Sequence, residues 1–155
     1  MCVVFLCSLK LQRDQVHHRN IVQLLEVYES ERAVLLVMEV CTGGELFERL
    51  AKRKFYTEVD AAKVTGQMVA AVSYLHANNI CHRDLKLENW LYQSDHDDAN
   101  LMLCDFGFGQ VVEPSAQLHG TMGSLYYIAP EVLEGSVYGS ADAQQLLLNS
   151  CISAT

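Results

Sequence analysis

A short stretch in the middle of the chain, HRDLKLEN, begins at His82 and combines an acid, a cation and an amide. Asp84 can accept the proton of an attacking hydroxyl, Lys86 can offset phosphate charge, and Asn89 can coordinate a divalent cation through its amide oxygen. The spacing lets one loop present all three side chains, so this stretch predicts a centre for phosphate chemistry.

Two further motifs follow this loop. Asp105-Phe106-Gly107 comes directly after an apolar strand, and Ala129-Pro130-Glu131 follows it along the chain. An aspartate at a strand end is suited to chelating Mg²⁺. The glycine after it is expected to let the chain turn away sharply. Asp105 is therefore a second candidate metal ligand beside Asn89.

The surrounding residues predict the elements that must position these side chains. Residues 20–29 and 33–40 are aliphatic and β-branched runs, which indicate an antiparallel strand pair. A Gly-Gly break then leads into a short amphipathic helix from about Glu45 to Arg53. Two short strands, WLY and NLMLCDF, are expected on either side of the polar loop QSDHDDAN.

The longest predicted helix covers residues 57–79. Thr57 and Asp60 have the spacing of a capping box at its start, while Asn78 and Asn79 favour its end. Apolar residues recur at helical spacing and predict a buried stripe made of Val64, Met68, Val72 and Leu75.

Composition excludes several classes of protein. A net charge of −8 over 155 residues, with no basic stripe, argues against a nucleic-acid partner. The six cysteines are scattered without a C-x-x-C pair, which favours a reducing compartment over a disulfide scaffold or a zinc site. No run approaches the roughly 18 apolar residues that a membrane span needs, and the first residues lack a signal-peptide pattern. We expect a cytoplasmic protein.

The polar loop also resembles the start of a calcium-binding EF-hand. Asp95, Asp97 and Asp98 supply acids, but the sixth position is Asn100 and the twelfth is Phe106. An EF-hand requires glycine and glutamate there, so we predict a solvated hairpin loop instead.

H-R-D-L-K-x-E-N, D-F-G and A-P-E in this order resemble the signature set of protein kinases. A lysine at position 86, two residues after Asp84, resembles the pattern of the serine/threonine class. The flanking sequence is most similar to calcium-dependent protein kinases within the calmodulin-regulated group. The resemblance implies an α+β, partial two-lobed kinase fold that uses ATP and Mg²⁺ on protein serines and threonines. It divides the chain into an unmatched segment 1–15, small lobe and hinge 16–41, large lobe 42–142, and an unmatched tail 143–155.

The resemblance also assigns roles residue by residue. Asp84 would be the catalytic base, Lys86 the phosphate contact, and Asn89 and Asp105 the Mg²⁺ ligands. Nucleotide-binding roles fall on Met38 as gatekeeper, Glu39 to Cys41 as adenine-binding hinge, Glu45 at the ribose, Leu91 under the base, and Glu88. Leu24, His82 and Phe106 match the hydrophobic spine between the lobes. Thr121 and Ser124 are candidate phosphorylation sites in the activation loop. Cys41 and Cys104 are expected to line the nucleotide pocket as small apolar residues.

Other features of the family pattern do not occur in the 155 residues. No G-x-G-x-x-G loop or V-A-I-K-type lysine precedes residue 16, and after Asp142 the match is lost. We therefore expect little or no activity from the isolated chain, and a regulatory partner covering large-lobe surface. Two alternatives stay open: a catalytically inactive, pseudokinase-like module that binds nucleotide or protein, and an incomplete gene model.

Overall fold

The computed structural model describes residues 16–53 and 56–112 together with Ser124 and Tyr127. Thr121, the Ala129-Pro130-Glu131 motif and Asp142 lie outside the described residues. Along the chain the elements are β1 Leu24–Glu29, β2 Val34–Met38, α1 Leu46–Lys52, α2 Glu58–Ala77, β3 Ile80–Cys81, a 3₁₀ turn Leu87–Asn89, β4 Trp90–Tyr92, β5 Leu101–Leu103 and β6 Gln110–Val111.

The strands form three antiparallel pairs. β1 pairs with β2 and β4 pairs with β5, as the sequence predicts. The third pair, β3 with β6, sets Ile80 opposite Val111. It was not predicted, because strands of two residues carry too little periodicity to be recognised. The β3–β6 pair encloses residues 82–109, the segment that contains HRDLKLEN and Asp105-Phe106-Gly107.

Helix α2 confirms the predicted capping box. The Thr57 hydroxyl accepts from the Asp60 backbone N–H, and the Asp60 carboxylate accepts from the Thr57 N–H. Asn78 caps the other end, and Asn79 takes a left-handed φ of 58°. Asparagine tolerates this conformation better than most residues, so the sequence determines both ends of the helix locally.

The buried face of α2 packs on strands β3 and β5. Met68, Ala71 and Leu75 are buried, whereas Val64 and Val72 of the predicted stripe are only partly buried. The same core contains Leu46, Trp90, Leu101, Leu103 and Phe106. The α+β class predicted from the sequence is confirmed. No helix in the described part of the chain is long and apolar enough to cross a membrane.

Candidate active site

The loop between β3 and β4 carries the predicted catalytic residues on a fixed backbone. His82 is fully buried, with its ring centroid 4.7 Å from that of Phe106. Arg83 takes a positive φ of 65° and donates through Nε to the Phe108 carbonyl oxygen at 2.7 Å. These contacts turn the chain so that Asp84 is buried, with 4% of its surface exposed.

The Asp84 carboxylate accepts hydrogen bonds on both oxygens. Lys86 Nζ donates to Oδ2 at 2.8 Å, and the Ser124 backbone N–H and hydroxyl donate to Oδ1 at 2.9 and 2.8 Å. Lys86 Nζ also lies 3.3 Å from the Ser124 hydroxyl oxygen. Asp84 and Lys86, which were predicted to work together, are therefore in direct contact. The Ser124 hydroxyl is already hydrogen-bonded to the predicted base, Asp84.

These contacts determine the charge of the pair. Burial disfavours the carboxylate and raises the pKa of Asp84, but the hydrogen bonds from Lys86 and Ser124 and the Lys86 charge outweigh it. The net pKa of Asp84 therefore lies below its ordinary value. The hydrogen bond to Asp84 raises the pKa of Lys86, against a smaller lowering by burial. Both groups are charged at neutral pH, so Asp84 can accept a proton.

Asn89 and Asp105 lie at the same end of the β4–β5 hairpin. Asn89 immediately precedes β4, and Cys104 N–H donates to the Asn89 carbonyl oxygen at 2.9 Å. Cys104 precedes Asp105, which follows β5. Strand pairing thus brings together two residues that are distant in the sequence.

The donor atoms of these two residues fit Mg²⁺. Asn89 is buried, and its Nδ2 donates to the Asp84 carbonyl oxygen at 2.8 Å, which directs the amide oxygen elsewhere. Asp105 is exposed, and its Oδ1 accepts a hydrogen bond from Gly107 N–H at 3.2 Å. Its Oδ2 is left to bind a metal ion. Carboxylate and amide oxygens are the ligands that Mg²⁺ prefers.

The sharp turn after β5 has a different origin from the one expected. Asp105 itself takes the left-handed φ of 63°. Gly107 is not among the described glycines with positive φ, and a Cβ there would lie 3.1 Å from Asp105 Oδ1. The strained residue is therefore the candidate ligand, a placement typical of functional sites.

The residues assigned to nucleotide binding lie at the end of β2, in the segment that follows it, and in β4. Met38 ends β2 opposite Leu24, and Glu39 N–H donates to the Gln23 carbonyl oxygen at 2.9 Å. Glu45 forms an isolated antiparallel bridge with Leu91. The predicted ribose contact and the predicted apolar floor are thus neighbours.

Glu88 is exposed on the 3₁₀ turn, where its carboxylate accepts from the Tyr127 hydroxyl at 3.2 Å. The structure places this predicted nucleotide contact beside Tyr127, three positions after Ser124.

The two thiols near the hinge are in their neutral form. Burial, and then the charge of Glu39, raises the pKa of Cys41. Burial, followed by the charge of Asp105 and interactions with Cys41 and Glu45, raises the pKa of Cys104 to about 11. A thiol with a raised pKa is a poor nucleophile.

Among the described residues, no three side chains of His, Cys, Asp or Glu are grouped to hold a metal ion.

The tautomer of His82 follows from its two hydrogen bonds. Nδ1 accepts from the Asp84 N–H at 3.3 Å, so the proton lies on Nε2, which donates to the Cys104 carbonyl oxygen at 3.1 Å. Burial, the largest influence, lowers the pKa of His82 to about 4 despite the opposing Cys104 carbonyl and nearby carboxylates.

The free energy of unfolding is expected to fall as pH decreases from about 6.5 to about 4. Unfolded His82, with its ordinary pKa of 6.5, binds a proton that the folded state does not bind until about pH 4. The full loss corresponds to about 3 kcal/mol. Urea unfolding at pH 7 and pH 4.5 should show this decrease, and His82→Phe should reduce it.

His96→Phe is the matched control, because His96 is exposed in the hairpin loop. A smaller slope should persist in His82→Phe, since burial and the Arg19 charge also lower the pKa of His18. Equal slopes in His82→Phe and wild type would contradict the assignment to His82.

Sequence reasoning assigned Ser124 only a phosphorylation role and missed its contact with Asp84. The two residues are separated by 40 positions, and no local pattern joins them. The link between Glu39 and Gln93 was also missed: Gln93 Nε2 donates to Glu39 Oε1 at 2.9 Å across 54 positions. A glutamine or a serine in a loop has no sequence pattern that would indicate a distant hydrogen-bond partner.

Comparison with known proteins identifies the family. The protein kinase domain matches residues 10–143. The chain is 45% identical to calcium/calmodulin-dependent protein kinase type 1 of Caenorhabditis briggsae over 127 residues, which is 82% of this chain and 35% of that protein. It is 44% identical to human calcium/calmodulin-dependent protein kinase type IV over 125 residues, 81% of the chain and 26% of that protein.

A third relative, calcium-dependent protein kinase 5 of Plasmodium berghei, is 43% identical over 121 residues, 78% of the chain and 22% of that protein. The chain therefore spans about a third or less of these curated relatives. It belongs to the protein kinase family, and its relatives include calmodulin-regulated and calcium-dependent serine/threonine kinases. The predicted family and the partial kinase fold are confirmed.

Proposed function

We propose that this chain provides the catalytic centre of a serine/threonine protein kinase, which transfers the γ-phosphate of ATP to protein serine and threonine hydroxyls. Protein kinases generally use ATP and Mg²⁺, and the proposal extends that requirement to this chain. A cytoplasmic location and a regulatory partner on the large lobe are further parts of the proposal.

The observation that carries the proposal is the arrangement around Asp84. Its ionised carboxylate accepts a hydrogen bond from the Ser124 hydroxyl at 2.8 Å, which is the contact that a general base makes with an attacking hydroxyl. Lys86 Nζ, 2.8 Å from the same carboxylate, provides positive charge beside the reaction centre. A substrate serine or threonine would take the place of the Ser124 hydroxyl on Asp84.

The other assigned residues have separate tasks. Asn89 Oδ1 and the Asp105 carboxylate would hold Mg²⁺, which supplies charge stabilisation to the phosphate oxygens when bound. Backbone groups of Glu39 and Cys41 would hydrogen-bond adenine beside Met38, Glu45 would contact the ribose, and Leu91 would pack under the base. Thr121 and Ser124 remain candidate phosphorylation sites.

Asp84→Asn is expected to lower phosphoryl transfer by at least about a hundredfold, within the range that a general base contributes. The amide keeps the shape of the carboxylate but cannot accept a proton, and its NH₂ must face a donor on Lys86 or Ser124. The assay follows labelled phosphate from γ-labelled ATP into a mixture of serine, threonine and tyrosine peptides.

Asp95→Asn is the matched control, since Asp95 is exposed in the hairpin loop. Equal and measurable transfer by Asp84→Asn and wild type, or label on tyrosine alone, would contradict the proposal. Mg²⁺-nucleotide binding with no transfer by either protein would favour the inactive nucleotide-binding alternative.

A further inference from the structure

Arg49 on α1 joins three backbone carbonyl groups from two separate segments. Its Nη1 donates to His96 O at 3.1 Å, and its Nη2 donates to Gly43 O at 3.2 Å and Ser94 O at 3.1 Å. The guanidinium carbon lies 3.8 Å from the centroid of the Tyr92 ring. A planar guanidinium can make these bonds at once, whereas an ammonium cannot match the fork. One side chain thus connects two segments. The first is the linker after the hinge, residues 42–44, and the second is the turn of the β4–β5 hairpin, residues 93–100.

The linker also pairs with the hairpin through its own backbone. Thr42 N–H donates to Gln93 O at 3.2 Å, and Gly43 N–H donates to Tyr92 O at 2.9 Å. Tyr92 N–H returns a bond to Gly44 O at 2.9 Å. The linker therefore runs beside β4 like an additional short strand, and Arg49 bonds it to the turn that follows β4.

A second side chain connects the same hairpin turn to the hinge itself. Gln93 Nε2 donates to Glu39 Oε1 at 2.9 Å. Gln93 Oε1 accepts from Asn100 Nδ2 at 3.1 Å, and Asn100 Oδ1 accepts from Arg19 at 2.9 Å. The hinge carboxylate is thus part of a chain of hydrogen bonds that crosses the hairpin turn.

The opposite end of this hairpin carries the candidate metal ligands. Asn89 lies immediately before β4 and Asp105 follows β5, with Trp90 opposite Leu103 between the strands. Each strand has three residues, so the turn lies roughly 10 Å from the ligands. The hairpin therefore spans the distance between the hinge contacts and the metal ligands.

We propose that Arg49 and Gln93 are positioning residues that set the separation between the adenine-binding hinge and the Mg²⁺ ligands Asn89 and Asp105. This inference rests on the proposed function, because only a nucleotide that contacts both ends can sense their separation. A nucleotide without metal depends mainly on the hinge, whereas Mg²⁺-nucleotide requires both ends in register. Groups that orient metal ligands are worth roughly 10–100-fold in metal affinity.

The experiment measures the dissociation constant of ADP by calorimetry, in Mg²⁺ and in EDTA, for the full 155-residue chain. Arg49→Met and Gln93→Leu should reduce the Mg²⁺-dependent gain in ADP affinity by about tenfold. Arg49→Lys should give an intermediate value. The matched control is Arg53→Met: Arg53 is also on the α1 side of the hairpin, but its side chain bonds to exposed Asp97.

A urea midpoint for each variant separates positioning from stability. A lower midpoint for Arg49→Met with the wild-type Mg²⁺-dependent gain would overturn the inference, as would an equal loss in Arg53→Met. If Arg49→Met does not fold, Gln93→Leu decides by the same criterion. If wild type binds ADP equally with Mg²⁺ and with EDTA, the proposed function fails, and the inference fails with it.

Discussion

Asp105→Asn is expected to weaken Mg²⁺-ADP binding on the order of a hundredfold. The substitution would remove a proposed carboxylate ligand, and loss of groups that merely orient metal ligands costs roughly 10–100-fold in metal affinity. Asparagine tolerates the positive φ of 63° at this position, so the backbone should remain in place. ADP affinity in EDTA should change little, because the proposed adenine contacts lie at the hinge.

The loss of Mg²⁺-ADP affinity in Asp105→Asn can be measured as a smaller stabilisation of the fold by Mg²⁺-ADP. At a Mg²⁺-ADP concentration of 100 times the wild-type dissociation constant, binding stabilises the wild-type fold by about 2.7 kcal/mol. After a hundredfold loss the same concentration stabilises the variant by only about 0.4 kcal/mol. Asp95→Asn, in the exposed hairpin loop, should match wild type. An equal stabilisation of Asp105→Asn and wild type would remove Asp105 from the metal site.

Gly43→Ala is expected to destabilise the fold by at least about 3 kcal/mol, the upper end of the usual cost of overpacking. A Cβ at this position would lie 2.1 Å from Ser94 O and 2.6 Å from Tyr92 Cβ. The obstacle is a backbone carbonyl that also accepts from Arg49, so it cannot move without breaking that bond. Urea unfolding of both proteins measures the difference.

Gly66→Ala provides a control of opposite sign. Gly66 lies inside α2, and a Cβ there would meet nothing within 4 Å. Alanine in a helix interior is more stable than glycine by roughly 0.5–1 kcal/mol. A Gly43→Ala protein as stable as wild type would contradict the close approach of the linker and the hairpin turn.

Local signals explain which elements were predicted correctly. The Thr57–Asp60 capping box and the two asparagines after α2 act within one or two helical turns, so the sequence alone determines both helix ends. The β1–β2 and β4–β5 pairs likewise join strands that follow one another along the sequence. Motif order identified the family, which the match over residues 10–143 confirms.

Contacts across long sequence separations could not be predicted. The glycine pair before α1 indicated only a break, whereas the need for glycine at Gly43 comes from Ser94 on another segment. Arg49 appeared as one polar residue of an amphipathic helix, yet it bonds to His96 across 47 positions. The turn at Asp105 was attributed to the wrong residue, because backbone strain of this kind has no compositional signature.

The most direct test of the site locates the metal. With Mn²⁺ in place of Mg²⁺ in the ADP complex, paramagnetic broadening of amide NMR signals reports which residues lie beside the ion. The proposed metal site predicts the strongest broadening at the Asn89 side-chain amide and at Asp105, with weaker broadening at Asp97 and Asp98 in the hairpin loop. Strongest broadening in that acidic loop, or no broadening that depends on ADP, would contradict a catalytic centre built on Asp84, Asn89 and Asp105.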